Sequence, residues 1–240
     1  MTIKMSWTDK IATEEILKLR DEFNINTAVE TGTFRGTNTE LYAHHFREVL
    51  SIDVDEAYFE PAGGKLRKYQ NVQVFKQSSD SFLLAFTANY LMHKRDDIIF
   101  FYLDAHFYDP KLPPEDKWVV VKELKALKGF GNCVICIHDF DCQGLGHLVY
   151  GGEHLGWNVV GEHITKVNLD FHYYTNTREW CDIYNEETVK ELPITIDEYV
   201  IDNLKYANSS DEKRYRGILY AVPAKLDLNK FRVVECGLRT

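Results

Sequence analysis

Two rhythms of hydrophobic and polar positions run through the first 140 residues. Over 8–23, Ile11, Ile16, Leu17 and Leu19 make an apolar stripe at helical spacing. Short apolar runs follow at 26–30, 49–53, 72–75, 98–103 and 133–137, and they read as strands. Helical segments separate them at 37–46, 61–69, 81–91 and 117–128, the second led in by a loop at Pro61. In the last of these, Val120, Val121, Leu124 and Leu127 share one helix face. The runs 98–103 and 133–137 are apolar on both faces, as strands covered by helices on either side must be. Strands alternating with helices in this way imply an α/β fold. The sheet is mostly parallel and, with right-handed crossovers, doubly wound and Rossmann-like, with helices on both faces.

Beyond residue 140 the rhythm breaks. Gly144, Gly146, Gly151, Gly152 and Gly156 cluster. The segment 157–165 reads as a strand, and 217–222 and 231–234 as late strands. The stretch 166–215 is aromatic and polar without a clean period, and is expected to cap the substrate crevice. All of 1–240 is read as one domain.

Composition narrows the classes. The chain has 45% hydrophobic and 27% charged residues, an ordinary globular balance. Lys and Arg number 28 against 37 Asp and Glu, a net charge of −9. That balance argues against nucleic acid as partner, because phosphate backbones attract basic faces. No apolar run is long enough to span a bilayer, and residues 1–10 lack the apolar core of a secretory signal. A cytoplasmic protein with no membrane partner is expected, and a homo-oligomer is compatible with the sequence. The five cysteines are an odd count and read as reduced thiols. Cys133-x-x-Cys136 with Cys142 and His147 has zinc-like spacing, but Cys133 and Cys136 share one strand and their odd spacing points them to opposite faces.

The chemistry lies in where the acids fall. Glu30, Asp53, Asp104 and the pair His138-Asp139 each close a predicted strand. Ligands of open α/β sheets bind at the carboxyl ends of strands, so these side chains are expected around one crevice. In Glu30-Thr31-Gly32-Thr33-Phe34-Arg35-Gly36, Gly32 permits a tight turn and Gly36 a close helix start. The spacing is not that of the dinucleotide fingerprint. An acid directly before the turn repels a pyrophosphate and suits a cationic ligand instead.

With these motifs in place, the stretch 26–140 resembles the class I S-adenosylmethionine-dependent methyltransferases. The resemblance rests on Glu30-Thr31-Gly32 with Gly36, on Asp53 ending the second strand, on Ser78-Ser79 after the third, and on Asp104 ending the fourth. It implies S-adenosylmethionine as cofactor, with Glu30 at its methionine end, Asp53 on the ribose, and Ser78 and Ser79 near the adenine. Thr33 stands where many members carry glycine. A closer resemblance is to the metal-dependent O-methyltransferases of catechols and macrolide sugars, the macrocin type. It implies a divalent cation such as Mg²⁺ held by Asp104, His138 and Asp139, and a small-molecule or sugar acceptor. His138 stands where an acid is usual, and Phe107 where the catechol enzymes carry a lysine base.

The patch Asp104-Ala105-His106-Phe107-Tyr108-Asp109 offers His106 as a general base, and His138 is a second candidate. Asp104, His106 and His138 are therefore the candidate catalytic residues. Tyr173, Tyr174 and Trp180 read equally as acceptor-pocket lining or as local core. Two other functions fit a sheet of this kind: a nicotinamide-dependent oxidoreductase, and a non-catalytic binding protein on the methyltransferase fold. The first calls for a glycine-rich pyrophosphate turn; the second has no need of acids at the strand ends.

Overall fold

Each apolar run read as a strand in the first 140 residues enters one sheet. The computed structural model describes residues 10–93, 96–106, 117–142, 145–150, 152–177, 179 and 216–237. The elements in chain order are α1 Lys10–Glu22, β1 Thr27–Thr31, α2 Thr37–Ala43, β2 Glu48–Asp53, α3 Glu56–Leu66, β3 Val72–Lys76, α4 Ser79–Met92 and β4 Ile99–Leu103. They continue with α5 Val119–Ala126, β5 Cys133–His138, β6 Val149–Tyr150, β7 Glu153–His154, α6 Trp157–Ile164, β8 His172–Thr175, β9 Ile218–Val222 and β10 Val234–Glu235.

The main sheet has eight strands in the order β10-β8-β9-β5-β4-β1-β2-β3. From β5 to β3 all neighbours are parallel, whereas β9 runs antiparallel to both β5 and β8. Parallel neighbours end at the same edge of a sheet. Here the last rungs are Thr31↔Leu103 between β1 and β4, and Leu103↔Ile137 between β4 and β5. Asp104 and His138 therefore emerge side by side.

Alternation along the strands sorts the core into two layers. Val29, Phe101, Leu103, Ile135 and Ile137 pack with α4, α5 and α6. Ala28, Phe100, Tyr102, Val134 and Cys136 pack with α1 and α2. Cys133 and Cys136 fall in opposite layers, and both are buried free thiols. Burying each such Leu, Ile or Phe stabilises by roughly 1.5–3 kcal/mol, so the two layers are the main source of stability. Among the described residues, no helix is long and apolar enough to cross a membrane.

Four expectations need correction. The segment 157–165 is the helix α6, not a strand: Val160 and Ile164, four residues apart, are its buried stripe. The helix expected from Pro61 starts earlier, at Glu56, because the Asp55 carboxylate caps it by accepting from Ala57 N. The late strand at 231–234 shrinks to Val234–Glu235. The expected cap also begins too early, since His172–Thr175 is a sheet strand lying between β9 and β10. Most of that cap, 180–215 with Trp180 and Cys181, lies outside the described residues, as do Phe107, Tyr108 and Asp109.

Candidate active site

The first turn is built from β1 and β2 together. Glu30 sits opposite Ser51 in the parallel register. Its carboxylate accepts from Ser51 Oγ at 2.6 Å and from Thr39 Oγ1 on α2. The side chain is enclosed, with Glu30 1% exposed. Burial, against the pull of the two hydroxyls, pushes its pKa up to about 8, so it is the neutral acid at pH 7. The resemblance implied Glu30 at the methionine end of the cofactor, as an acid directly before the turn. In the structure it is a support behind the turn, because strand alternation puts it with Ala28 on the α2 side.

Gly32 has φ 83°, and its turn folds back through N–H bonds from Gly32 and Thr33 to Ile52 O. A Cβ on Gly32 would stand 2.7 Å from the Asp104 carbonyl oxygen. Glycine is thus required by the approach of the turn to the end of β4. Gly36, φ 68°, opens α2 against Leu66 of α3. Asp53 ends β2 nearly buried, and its two carboxylate oxygens accept from Phe34 N at 2.8 Å and Asp55 N at 2.9 Å. A carboxylate offers about four acceptor positions, so two remain. Ser78 stands at the N-cap position of α4 without a side-chain bond to its backbone, and its hydroxyl donates to Ser81 Oγ at 2.9 Å; Gln77 N donates to Asp53 O. Ser79 is buried beside Glu123 of α5. The structure thus gathers Gly32, Asp53 and the Gln77–Ser78 turn at one edge, and keeps Glu30 and Ser79 behind it.

The second group forms where β4 and β5 end. His106 Nε2 lies 2.8 Å from Asp104 Oδ1 and 3.3 Å from Asp139 Oδ2. His138 Nδ1 lies 3.0 Å from Asp104 Oδ1 and 3.6 Å from Asp139 Oδ1. One donor atom from each of the four residues falls within 4.8 Å of the others. Asp139 takes φ 54°, a left-handed turn that aspartate tolerates, and this folds its side chain back toward β4. Arg216, just before β9, brings Nε to 3.4 Å from Asp139 Oδ1. Sequence reasoning missed Arg216, since nothing local marks a residue so far along the chain as a neighbour of Asp139.

Burial opposes charge on all four groups, and mutual attraction outweighs it. The two histidines hold Asp104 below the usual carboxylate range; Arg216 and the same histidines hold Asp139 well below it. The carboxylates raise His138, and they raise His106 to about 10. With these neighbours alone, His106 is an imidazolium at pH 7. That corrects its expected role as a base of ordinary pKa. Two atoms in the cluster stay unsatisfied: buried His138 Nδ1 and Asp139 Oδ1 have no hydrogen bond of acceptable geometry among the described residues.

The aromatic candidates divide. Tyr174 is core, its hydroxyl accepting from Leu226 N at 3.0 Å. Tyr173 packs edge-on against Trp157 at 5.0 Å.

No protein family and no curated protein matches the sequence. Among solved structures, the chain is similar to a Galdieria sulphuraria protein described as a sarcosine dimethylglycine methyltransferase. The TM-score is 0.51 at 10% identity, over 88% of this chain and 84% of that one. The two share one fold, a mostly parallel, Rossmann-like sheet with helices. A methyltransferase from Aquifex aeolicus (TM-score 0.44, 18% identity, 91% and 90% of the two chains) is also similar. So is an rRNA methylase from Streptococcus thermophilus (0.42, 12%, 85% and 92%). At 10% identity the likeness to the Galdieria sulphuraria structure shows the fold alone.

Proposed function

We propose that this chain is an S-adenosylmethionine-dependent O-methyltransferase of a small molecule or sugar, with a divalent cation at the ends of β4 and β5. The observation that carries the reading is the convergence of Asp104, His106, His138 and Asp139 beside the Gly32 turn. The free acceptor positions of Asp53 fit two ribose hydroxyls, and the Ser78 turn fits an adenine edge. When bound, S-adenosylmethionine supplies an electrophilic sulfonium methyl, which an acceptor oxygen takes by in-line attack. The chain's part is to hold both reactants in that line. Glu30, being neutral and enclosed, acts by fixing Ser51 and Thr39 behind the turn.

The cation is favoured by the donor set and by His138 Nδ1 and Asp139 Oδ1, buried atoms that have ion-pair neighbours but no well-formed hydrogen bond among the described residues. Asp104, His138 and Asp139 would hold it; two carboxylates with an imidazole suit Mg²⁺ or Mn²⁺. A cation there supplies charge that lowers the pKa of a nearby acceptor hydroxyl. It would also relieve His106 of neutralising the two carboxylates. His106 could then receive the acceptor's proton at Nε2 as the oxygen–methyl bond forms and the sulfur–methyl bond breaks. This is the type of chemistry that the resemblance to the macrocin and catechol O-methyltransferases implies.

Calorimetric titration with S-adenosylhomocysteine and with NAD tests the reading. S-adenosylhomocysteine is expected to bind and NAD not to. Asp53→Ala should weaken binding at least about tenfold, since it removes charge-assisted hydrogen bonds of about 1.5–3 kcal/mol each. Binding of NAD alone, or affinity unchanged by Asp53→Ala, overturns it. Methyl transfer to phenols and sugars, lost in Asp104→Asn, is the expected readout of the acceptor side.

A further inference from the structure

A second group of metal-ligating side chains stands apart from the four just described. After β5 the chain turns at Asp139, and Asp141 N donates to Leu155 O at 2.6 Å. The β6–β7 hairpin pairs Val149 with His154 and so sets His154 beside the strand that His147 leads into. Asp141, His147 and His154 thereby bring one donor atom each within 4.8 Å of the others. His147 Nε2 lies 2.6 Å from His154 Nδ1. Asp141 Oδ1 lies 3.4 Å from His147 Nδ1, and Asp141 Oδ2 lies 3.8 Å from His154 Nδ1.

The tautomer of His147 matters most. Its Nδ1 lies 3.0 Å from the Leu145 carbonyl oxygen, which can only accept. With Nδ1–H donating there, a neutral ring has its lone pair on Nε2, aimed at His154. Metal-binding histidines are oriented by this kind of bond from the far ring nitrogen to a carbonyl. Two imidazole nitrogens 2.6 Å apart must otherwise share a proton, and a cation replaces it.

We propose that Asp141, His147 and His154 bind a divalent transition metal, of which Zn²⁺ is the type. Two imidazoles and one carboxylate form a borderline donor set with one position left for water, unlike the all-oxygen sets of Mg²⁺ and Ca²⁺. The metal's role is to clamp the hairpin. Leu148 N donates to Asp139 O, and Leu148 and Leu155 line a cavity together with His106 and His138. Fixing His147 to His154 therefore fixes the wall of the β4–β5 cluster. The site needs no assumption about methyl transfer.

The test is Zn²⁺ alone, titrated into chelator-stripped protein by competition with a chromophoric chelator. It is done in the double variant Asp104→Asn/Asp139→Asn, which removes both carboxylates of the first cluster, so that the His154→Ala and His147→Ala comparisons assign the bound metal to the hairpin. One equivalent of Zn²⁺ is expected, with a rise in melting temperature. Adding His154→Ala, an exposed position that should not impair folding, is expected to weaken binding at least about tenfold and to abolish the rise. Co²⁺ in place of Zn²⁺ should give visible absorption that the same substitution removes. Absence of Zn²⁺ binding in the double variant, or binding untouched by His154→Ala and by His147→Ala, overturns the proposal.

Discussion

Replacing Glu30 by glutamine removes a carboxyl that the fold holds as the neutral acid, and the consequence for stability follows from linkage. In the unfolded chain Glu30 titrates near 4.5; in the folded chain burial lifts it to about 8. Between those values the folded state binds the proton and the unfolded state does not. The stabilising contribution is thus full below about pH 4.5 and is lost as pH rises through about 8. At about 1.4 kcal/mol per pKa unit the swing has a ceiling of about 5 kcal/mol, and partial hydration of the ionised form would reduce it to a few. A glutamine carbonyl can accept from Ser51 and Thr39 as the carboxyl does, and it does not titrate. Urea unfolding of both proteins, from about pH 5 to about pH 9, should give curves that diverge. The wild type loses a few kcal/mol relative to Glu30→Gln, and above about pH 8 the variant is the more stable. Subtracting the curves removes the slope from Glu123, which burial also raises. Parallel curves would refute the reasoning, because they would mean that Glu30 is ionised and solvated in the folded protein.

Two further substitutions probe the frame around the site. Gly32→Ala meets the Asp104 carbonyl at 2.7 Å in addition to its positive φ, whereas Gly129, φ 78°, has nothing within 4 Å of its would-be Cβ. Gly129→Ala should cost about 1 kcal/mol and Gly32→Ala about 2–4 kcal/mol in denaturant unfolding; equal losses would mean that the Asp104 backbone yields freely. Glu123 is fully buried, pushed by burial to about 7 despite Ser79 and Thr31 nearby, and neither carboxyl oxygen has a well-formed partner among the described residues. Glu123→Leu should raise stability by about 1–3 kcal/mol, with the gain growing as pH rises from about 4.5 and levelling off above about 7, where the carboxyl is ionised in both the folded and the unfolded wild type. A lower melting temperature at every pH would show that water or another group satisfies the carboxyl.

The alternating half of the fold was legible because its strands are apolar on both faces and its helices are not; 98–103 and 133–137 became β4 and β5 nearly residue for residue. The adjacency of Asp104 and His138 followed from parallel strands ending at one edge. What was hidden lay where period and direction part company. In α6, Trp157, Val159 and Val160 gave β-like composition, and only the Val160–Ile164 spacing carried the helix. In β8, four residues were too few for alternation to register against the aromatic text around them. Glu30 was placed on the correct strand, but its enclosure by Ser51 and Thr39 was hidden, because both partners come from other elements. His106 was recognised as reactive, yet its pKa is raised first by Asp104 beside it and then by Asp139, which a left-handed turn brings within reach. Asp141, His147 and His154 have no fixed spacing that a sequence pattern would flag; the hairpin register joins them.

The two halves of the candidate site are joined by short, rigid links, and this bears on why the same few positions recur. Asp53 fixes Phe34 N, two residues beyond Gly32. Gly32 lies against the Asp104 and Ala105 backbone, and Asp104 N donates to Thr31 O at 3.2 Å. Asp104 in turn carries His106 and His138. Nothing longer than a turn separates any step, so a shift at Asp53 reaches the β4–β5 cluster without a hinge. Protein interiors packed this closely pass on displacement instead of absorbing it. The neutral Glu30 fits that frame. An ionised carboxyl with only two hydroxyl partners would carry a heavy desolvation cost directly behind the turn. Held as the acid, it keeps the Ser51–Thr39 contact. The turn is then positioned by hydrogen bonds and close packing, and the charge is gathered at the strand ends, where Asp104, Asp139, Arg216 and the two histidines balance it.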